Sequence, residues 1–172
     1  MICILLRDDW SFEDLMAGLN CTIYAYDPTV TYPPVRGQNI YFSRLGVAEI
    51  AMEGYNTLAE ILAKNSHQEE PIMYLKVDIE GEELFSLPEW ISSGALDHVL
   101  QLGLELHLPS IHVEKRFKWL LDLLNQLYHL NYRLISHEIN MTVGKPASEG
   151  YYSYMEVVLM KDVVWSFLDT DP

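Results

Sequence analysis

The stretch Ile72–Ile79 (IMYLKVDI) limits the possible folds more than any other part of the chain. A strand with one wet face alternates apolar and polar residues. A nearly continuous apolar run belongs instead in a sheet covered on both faces. The flanking segments have the helical spacing that could supply those covers. Thr57–Ala63 (TLAEILA) precedes the run, and a helix is expected within Glu82–Ser93, broken or restarted at Pro88.

The same alternation holds along the rest of the chain. Ile2–Leu6 reads as a first strand. Ser11-Phe-Glu-Asp14 offers a helix N-cap with acid in the first turn, so a helix is expected to about Leu19. Thr22–Tyr26 (TIYAY) is β-branched and aromatic and stops at Asp27-Pro28, and Asn39–Arg44 is a third strand. His98–His107 is another. The longest helix spans Val113–Leu130, with Val113, Phe117, Leu120, Leu121, Leu124, Leu127 and Tyr128 as its apolar stripe. Strands near Tyr132–Ile139 and Ser153–Met160 close the chain, joined by the turn-rich GKPASEG. Strands alternating with helices imply a largely parallel, doubly wound α/β sheet. No helix fits between the last two strands, so the final one is expected to insert antiparallel.

Length and charge set outer bounds. The 172 residues suit one domain, and no apolar run approaches the roughly 20 residues that span a bilayer. Met1–Leu6 is too short for a signal-peptide core, so the chain as written is expected to stay in the cytoplasm. The net charge of −14 argues against nucleic acid and anionic lipid as partners. It favours a neutral or cationic small molecule. Cys3 and Cys21 cannot build a disulfide scaffold or a zinc site unaided and read as small buried hydrophobes on neighbouring strands.

In open α/β sheets ligands bind beyond the carboxyl ends of the strands, near the switch in strand order. Three strands end there in functional groups. Asp27 closes the second strand, where an acid can accept hydrogen bonds from both hydroxyls of a ribose, or can simply terminate the strand as a turn residue. The central strand ends in Asp78-Ile79-Glu80-Gly81-Glu82-Glu83. Asp78 and Glu80 would share a side of an extended chain. Glu82 and Glu83 suit the dipole of the next helix. The following strand ends in Glu105-Leu106-His107. Adjacent parallel strands would gather Asp78, Glu80, Glu105 and His107 on one rim. Such a group could deprotonate a hydroxyl, with His107 or a carboxylate as general base, could hold a divalent metal, or could be a structural polar cluster. His67, His98, His112, His129 and His137 show no ligand spacing, and the four tryptophans read as packing.

The segments DDWSFEDLMAGLNCTIYAYDPT, TLAEIL, YLKVDIEGEELFSLPEWI, LGLELH, NYRLISHEIN and YMEVVLMK together resemble the methyltransferase-like domain of animal proteins related to the FkbM methyltransferases. LKVDIEGEE is the most specific of them, and the resemblance spans nearly the whole chain. It implies a Rossmann-like class I methyltransferase sheet that binds S-adenosylmethionine and methylates a hydroxyl oxygen of a small molecule or glycan. Asp27 would hold the cofactor's ribose. Asp78 would lie beside its methionine moiety, and Asp78, Glu80, Glu105 and His107 would be the catalytic candidates. No metal is implied. Relatives often carry an N-terminal membrane anchor and stem.

The chain departs from that pattern in its opening residues. Relatives have an apolar run and a phenylalanine–glycine pair before the WSFE-like segment, where this chain has Cys3-Ile4-Leu5-Leu6-Arg7. A glycine there lets a cofactor lie against the backbone, and Leu6 or Arg7 would fill that space. The chain therefore reads as one domain, 1–172, with an incomplete first strand and glycine loop. Two functions stay open: an S-adenosylmethionine-dependent O-methyltransferase, and a catalytically silent relative or shortened form serving as a binding or interaction module. A nicotinamide-dependent oxidoreductase would need a glycine-rich pyrophosphate loop and fails for want of one.

Overall fold

The computed structural model describes residues 1–4, 9–107, 113–139 and 154–162. Within them the chain forms a mixed α/β fold of four helices, one large sheet and one two-stranded sheet. The first half gives β1 (Ile2–Ile4), α1 (Ser11–Gly18), β2 (Ile23–Tyr26), β3 (Val35–Arg36), β4 (Ile40–Ser43), β5 (Gly46–Val47), β6 (Tyr55–Asn56) and α2 (Leu58–Lys64). The second half gives β7 (Leu75–Val77), α3 (Glu83–Ser92), β8 (Gln101–His107), α4 (Val113–His129), β9 (Tyr132–Ile139) and β10 (Tyr154–Lys161). The large sheet has the order β3-β4-β2-β1-β7-β8-β10-β9, and β5 pairs with β6 apart from it.

Strands β4, β2, β1, β7 and β8 run parallel, with Ile2–Ile4 in register with Tyr24–Tyr26 on one side and Leu75–Val77 on the other. β3 runs antiparallel along β4, and β10 lies antiparallel between β8 and β9. β10 is thus inserted antiparallel, as expected of the final strand.

Side-chain alternation divides the core in two. On one face Ile2, Ile4, Leu75, Val77, Leu102, Leu104 and Leu106 pack with Leu58 and Ile61 of α2, Leu87 and Trp90 of α3, and Leu120, Leu123 and Leu127 of α4. On the other, Ile23, Ala25, Ile40 and Phe42 pack with Trp10 and with Phe12, Met16 and Ala17 of α1. Helices therefore cover both faces. Trp10 meets Tyr32 and Phe42 edge-on, so it serves packing as expected.

Several local expectations are corrected. The apolar run Ile72–Ile79 is a strand only over Leu75–Val77. Ile72 makes an isolated bridge with Val99, and after Val77 the chain turns away through Glu80 and Gly81, with φ of 57° and 104°. Ile72, Leu75, Val77 and Ile79 are nevertheless all buried, whereas Met73 is exposed and Tyr74 and Lys76 are half-buried, so the run reports one fully covered face and overstates both the other face and the strand length. Pro88 does not break α3. Its ring is exposed, and fully buried Leu87 and Trp90 beside it hold the helix on the sheet despite the lost hydrogen bond.

Ser11 is the first helical residue, not the N-cap. Asp9 Oδ1 accepts its N–H at 2.9 Å, while the cap, Trp10, makes no side-chain cap bond. α2 instead carries a reciprocal capping box, Thr57 with Glu60. The buried stripe of α4 is Leu120, Leu123 and Leu127, leaving Phe117, Leu121 and Tyr128 exposed, a rotation from the stripe expected. Cys21 precedes β2 and is half-buried, not a strand hydrophobe. Residues 5–8, the side chains of Cys3 and Val113, His112, the segment GKPASEG expected as a turn, and Trp165 lie outside the described residues.

No helix among the described residues is long and apolar enough to cross a membrane.

Candidate functional site

The chain leaves β1 through α1 to β2 and β4 on one side, then returns through α2 to β7 on the other. The direction of winding reverses between β1 and β7, the place where open α/β sheets characteristically bind ligands. Asp27 directly follows β2 and Asp78 directly follows β7, so two acids flank the end of β1.

Asp27 is fully buried. Its Oδ1 accepts the Thr29 N–H at 2.7 Å and the Thr29 hydroxyl at 2.6 Å, an Asx turn that redirects the chain after β2. The turn role foreseen for this residue is the one these contacts display.

Asp78, Glu80, Glu105 and His107 come together as expected: alternation along β8 sets Glu105 and His107 on one side, but Asp78 and Glu80 lie past the end of β7 and do not share a strand face. The register that pairs Val77 with Leu104 would, one step on, set Asp78 beside Glu105. Glu80 reaches the group from a turn in the left-handed region. His107 Nε2 lies 3.8 Å from Asp78 Oδ1 and 3.4 Å from Glu80 Oε2. Tyr154, opening β10, stands edge-on to the imidazole with ring centroids 5.1 Å apart.

The organising residue is Glu83, which composition alone assigns to the helix dipole. It is completely buried. One carboxylate oxygen accepts the N–H of Ile79 and the other that of Gly81, each at 2.9 Å, so the side chain clamps the turn between β7 and α3. His107 Nδ1 lies 3.1 Å from the Oε1 that bonds Ile79. A carboxylate already accepting two N–H groups is an acceptor here as well, so Nδ1 carries a proton and Nε2 faces Asp78 and Glu80. Burial, the largest single influence on the imidazole, pulls its pKa down. The Glu83 hydrogen bond and the charges of Glu83, Asp78 and Glu105 together outweigh it and leave the pKa raised. The Asp-Ile-Glu-Gly-Glu-Glu spacing puts the clamping acid two residues past the turn glycine.

A cavity of about 500 Å³ opens on the α1 face beside Asp78 and Glu105, walled also by Phe12, Tyr74, Lys76 and Glu156. Lys76 is held 3.2 Å from buried Glu13. Glu156 pairs in register with Glu105 on one side and Glu138 on the other, a row of three acids across β8, β10 and β9. Burial, then the Glu105 and Glu138 charges, raise the Glu156 pKa against the opposing effect of Lys76. This row depends on long-range register and has no local sequence signal.

Asp78, Glu105 and His107 each offer one ligand atom, and those atoms all lie within 4.8 Å of one another. The rim can therefore accept a proton from a bound hydroxyl or hold a cation. Comparison with known proteins adds no name to this geometry: no family model, no curated protein and no solved structure matches the chain.

Proposed function

We propose that this chain has the doubly wound Rossmann-like fold of class I methyltransferases, binds S-adenosylmethionine, and methylates a hydroxyl oxygen of a small molecule or glycan. The resemblance to FkbM-related proteins motivates the reading. The observation that carries it is the reversal of winding between β1 and β7 with Asp27 and Asp78 on either side of it. An antiparallel last strand between β8 and β9 accords with the same fold.

Under this reading Asp27 would accept from ribose hydroxyls once the Thr29 hydroxyl gives way and its burial is relieved, and Asp78 would lie beside the methionine end and the acceptor. When bound, S-adenosylmethionine supplies a methyl group already activated on a sulfonium. The protein's part is to align the acceptor oxygen and to take its proton. The closeness of Asp78, Glu80, Glu105 and His107 to one another and to the adjoining cavity supports assigning both tasks to this rim.

A second reading, a catalytically silent binding module of the same fold, is favoured by the complete burial of Asp27 in its own turn. Calorimetric titration with S-adenosylmethionine and S-adenosylhomocysteine, in chelator, separates the two. Under the first reading both bind with micromolar affinity, about −8 kcal/mol, and Asp27→Asn weakens binding at least tenfold, about 1.4 kcal/mol. A folded chain that binds neither ligand overturns that reading in favour of the silent module.

A further inference from the structure

We propose that Asp78, Glu105 and Nε2 of His107 form an open divalent-cation site at the rim of the α1-face cavity. The three donors come from two neighbouring segments, the end of β7 and the end of β8, and their ligand atoms already lie within 4.8 Å of one another. Ligands about 2.0–2.2 Å from a four-coordinate ion lie roughly 3.3–3.6 Å apart. The 3.8 Å between His107 Nε2 and Asp78 Oδ1 needs only a small closure.

The opposite edge of the imidazole supplies an independent indication. A histidine that ligates a metal characteristically donates its other ring N–H to a carboxylate, which fixes tautomer and orientation. Glu83 does this from a fully buried position, pinned by the N–H groups of Ile79 and Gly81 in the turn that carries Glu80. The ring edge left over points at Asp78 and Glu80. One imidazole and two carboxylates form a borderline donor set suited to Mn²⁺ or Zn²⁺. The cavity wall containing Asp78 and Glu105 leaves room for further ligands such as water or an alcohol oxygen.

The site's existence is independent of methyl transfer. Its use rests on that reading: the ion would bind the acceptor oxygen and favour its deprotonation, and Glu80, outside the ligand set and partly exposed, would take the proton.

Mn²⁺ is the probe. The full chain, stripped with chelator and titrated with Mn²⁺, is expected to remove about one equivalent of the free-ion paramagnetic resonance signal, with Zn²⁺ competing. Glu105→Gln and His107→Gln should each weaken binding at least tenfold, and Glu83→Gln ten- to a hundredfold through loss of orientation. Glu53→Gln, on a remote exposed acid, should leave affinity unchanged. In the wild-type chain, Mn²⁺ should broaden the His107 ring proton resonances before those of His67, His98 or His129, a readout that needs no variant to fold. Absence of Mn²⁺ binding at millimolar concentration overturns the proposal, as does equal binding by wild type, Glu105→Gln and His107→Gln. Because S-adenosylmethionine binding is measured in chelator, failure of either idea leaves the other standing.

Discussion

At the scale of single residues, one buried carboxylate orders the candidate site. Glu83 closes the turn after β7 through Ile79 and Gly81 and holds His107 through Nδ1. Glu83→Gln keeps the shape but replaces one acceptor oxygen with an NH₂, setting a donor against a buried backbone N–H. The expected cost is about 1–3 kcal/mol in chemical denaturation at unchanged m-value. A change below about 0.5 kcal/mol would show that the clamp contributes no more than an ordinary surface group. The sequence made Asp78, Glu80, Glu105 and His107 visible because each ends or follows an apolar run. It did not reveal Glu83 as their support, because an acid at a helix start has a sufficient bland explanation. Nor could it show the Glu105–Glu156–Glu138 row, whose members lie on three strands and meet only through register.

At the scale of elements, apolar patterning located nearly every strand and helix of the main sheet but not their ends. β7 shrank to Leu75–Val77 because the turn at Glu80 and Gly81 takes the chain out of the ladder. The α4 stripe rotated toward Leu123 because the sheet below, not the helix's own composition, chooses the buried face. β3, β5 and β6, two residues each, are too short for any periodicity to announce them. β10 shows a further effect that only packing could reveal. Its last residue, Lys161, is buried and donates to the carbonyls of Leu96 and Asp97, beside the Tyr132 ring. Burial lowers the Lys161 pKa, against the opposing charge of Asp97. The folded chain therefore binds fewer protons than the unfolded one between the lowered pKa and about 10.4, and stability in that window rises with pH. Relative to Lys161→Met, wild type should gain stability as pH is raised from about 8 to about 10. A stability difference between the two that stays flat or shrinks over that range would contradict the assigned shift.

At the scale of the whole molecule, the sheet is completed out of chain order, and this makes the end of the chain decisive for its cooperativity. β10 lies between β8 and β9, so β9 has no sheet partner among the described strands except β10. Removing residues 154–172 would strip β9 of that ladder and leave β8 as a bare edge. It would also take Val157 and Leu159 from the core shared by α2, α3 and α4, and Lys161 from the turn around Leu96. Two buried aliphatic side chains alone represent about 3–6 kcal/mol of burial, comparable to the 5–15 kcal/mol by which whole domains are stable. The parallel half, β4-β2-β1-β7-β8, keeps its ladder but loses the strand paired with β8 and the core residues it carries. A chain ending at residue 153 should accordingly lose its sharp thermal transition in calorimetry while retaining some helical dichroism. A single cooperative transition within a few degrees of the full chain would mean that the parallel half folds as an independent unit. In that case the final hairpin would serve as an attachment that carries Tyr154 and Glu156 to the rim, with the fold complete before it arrives.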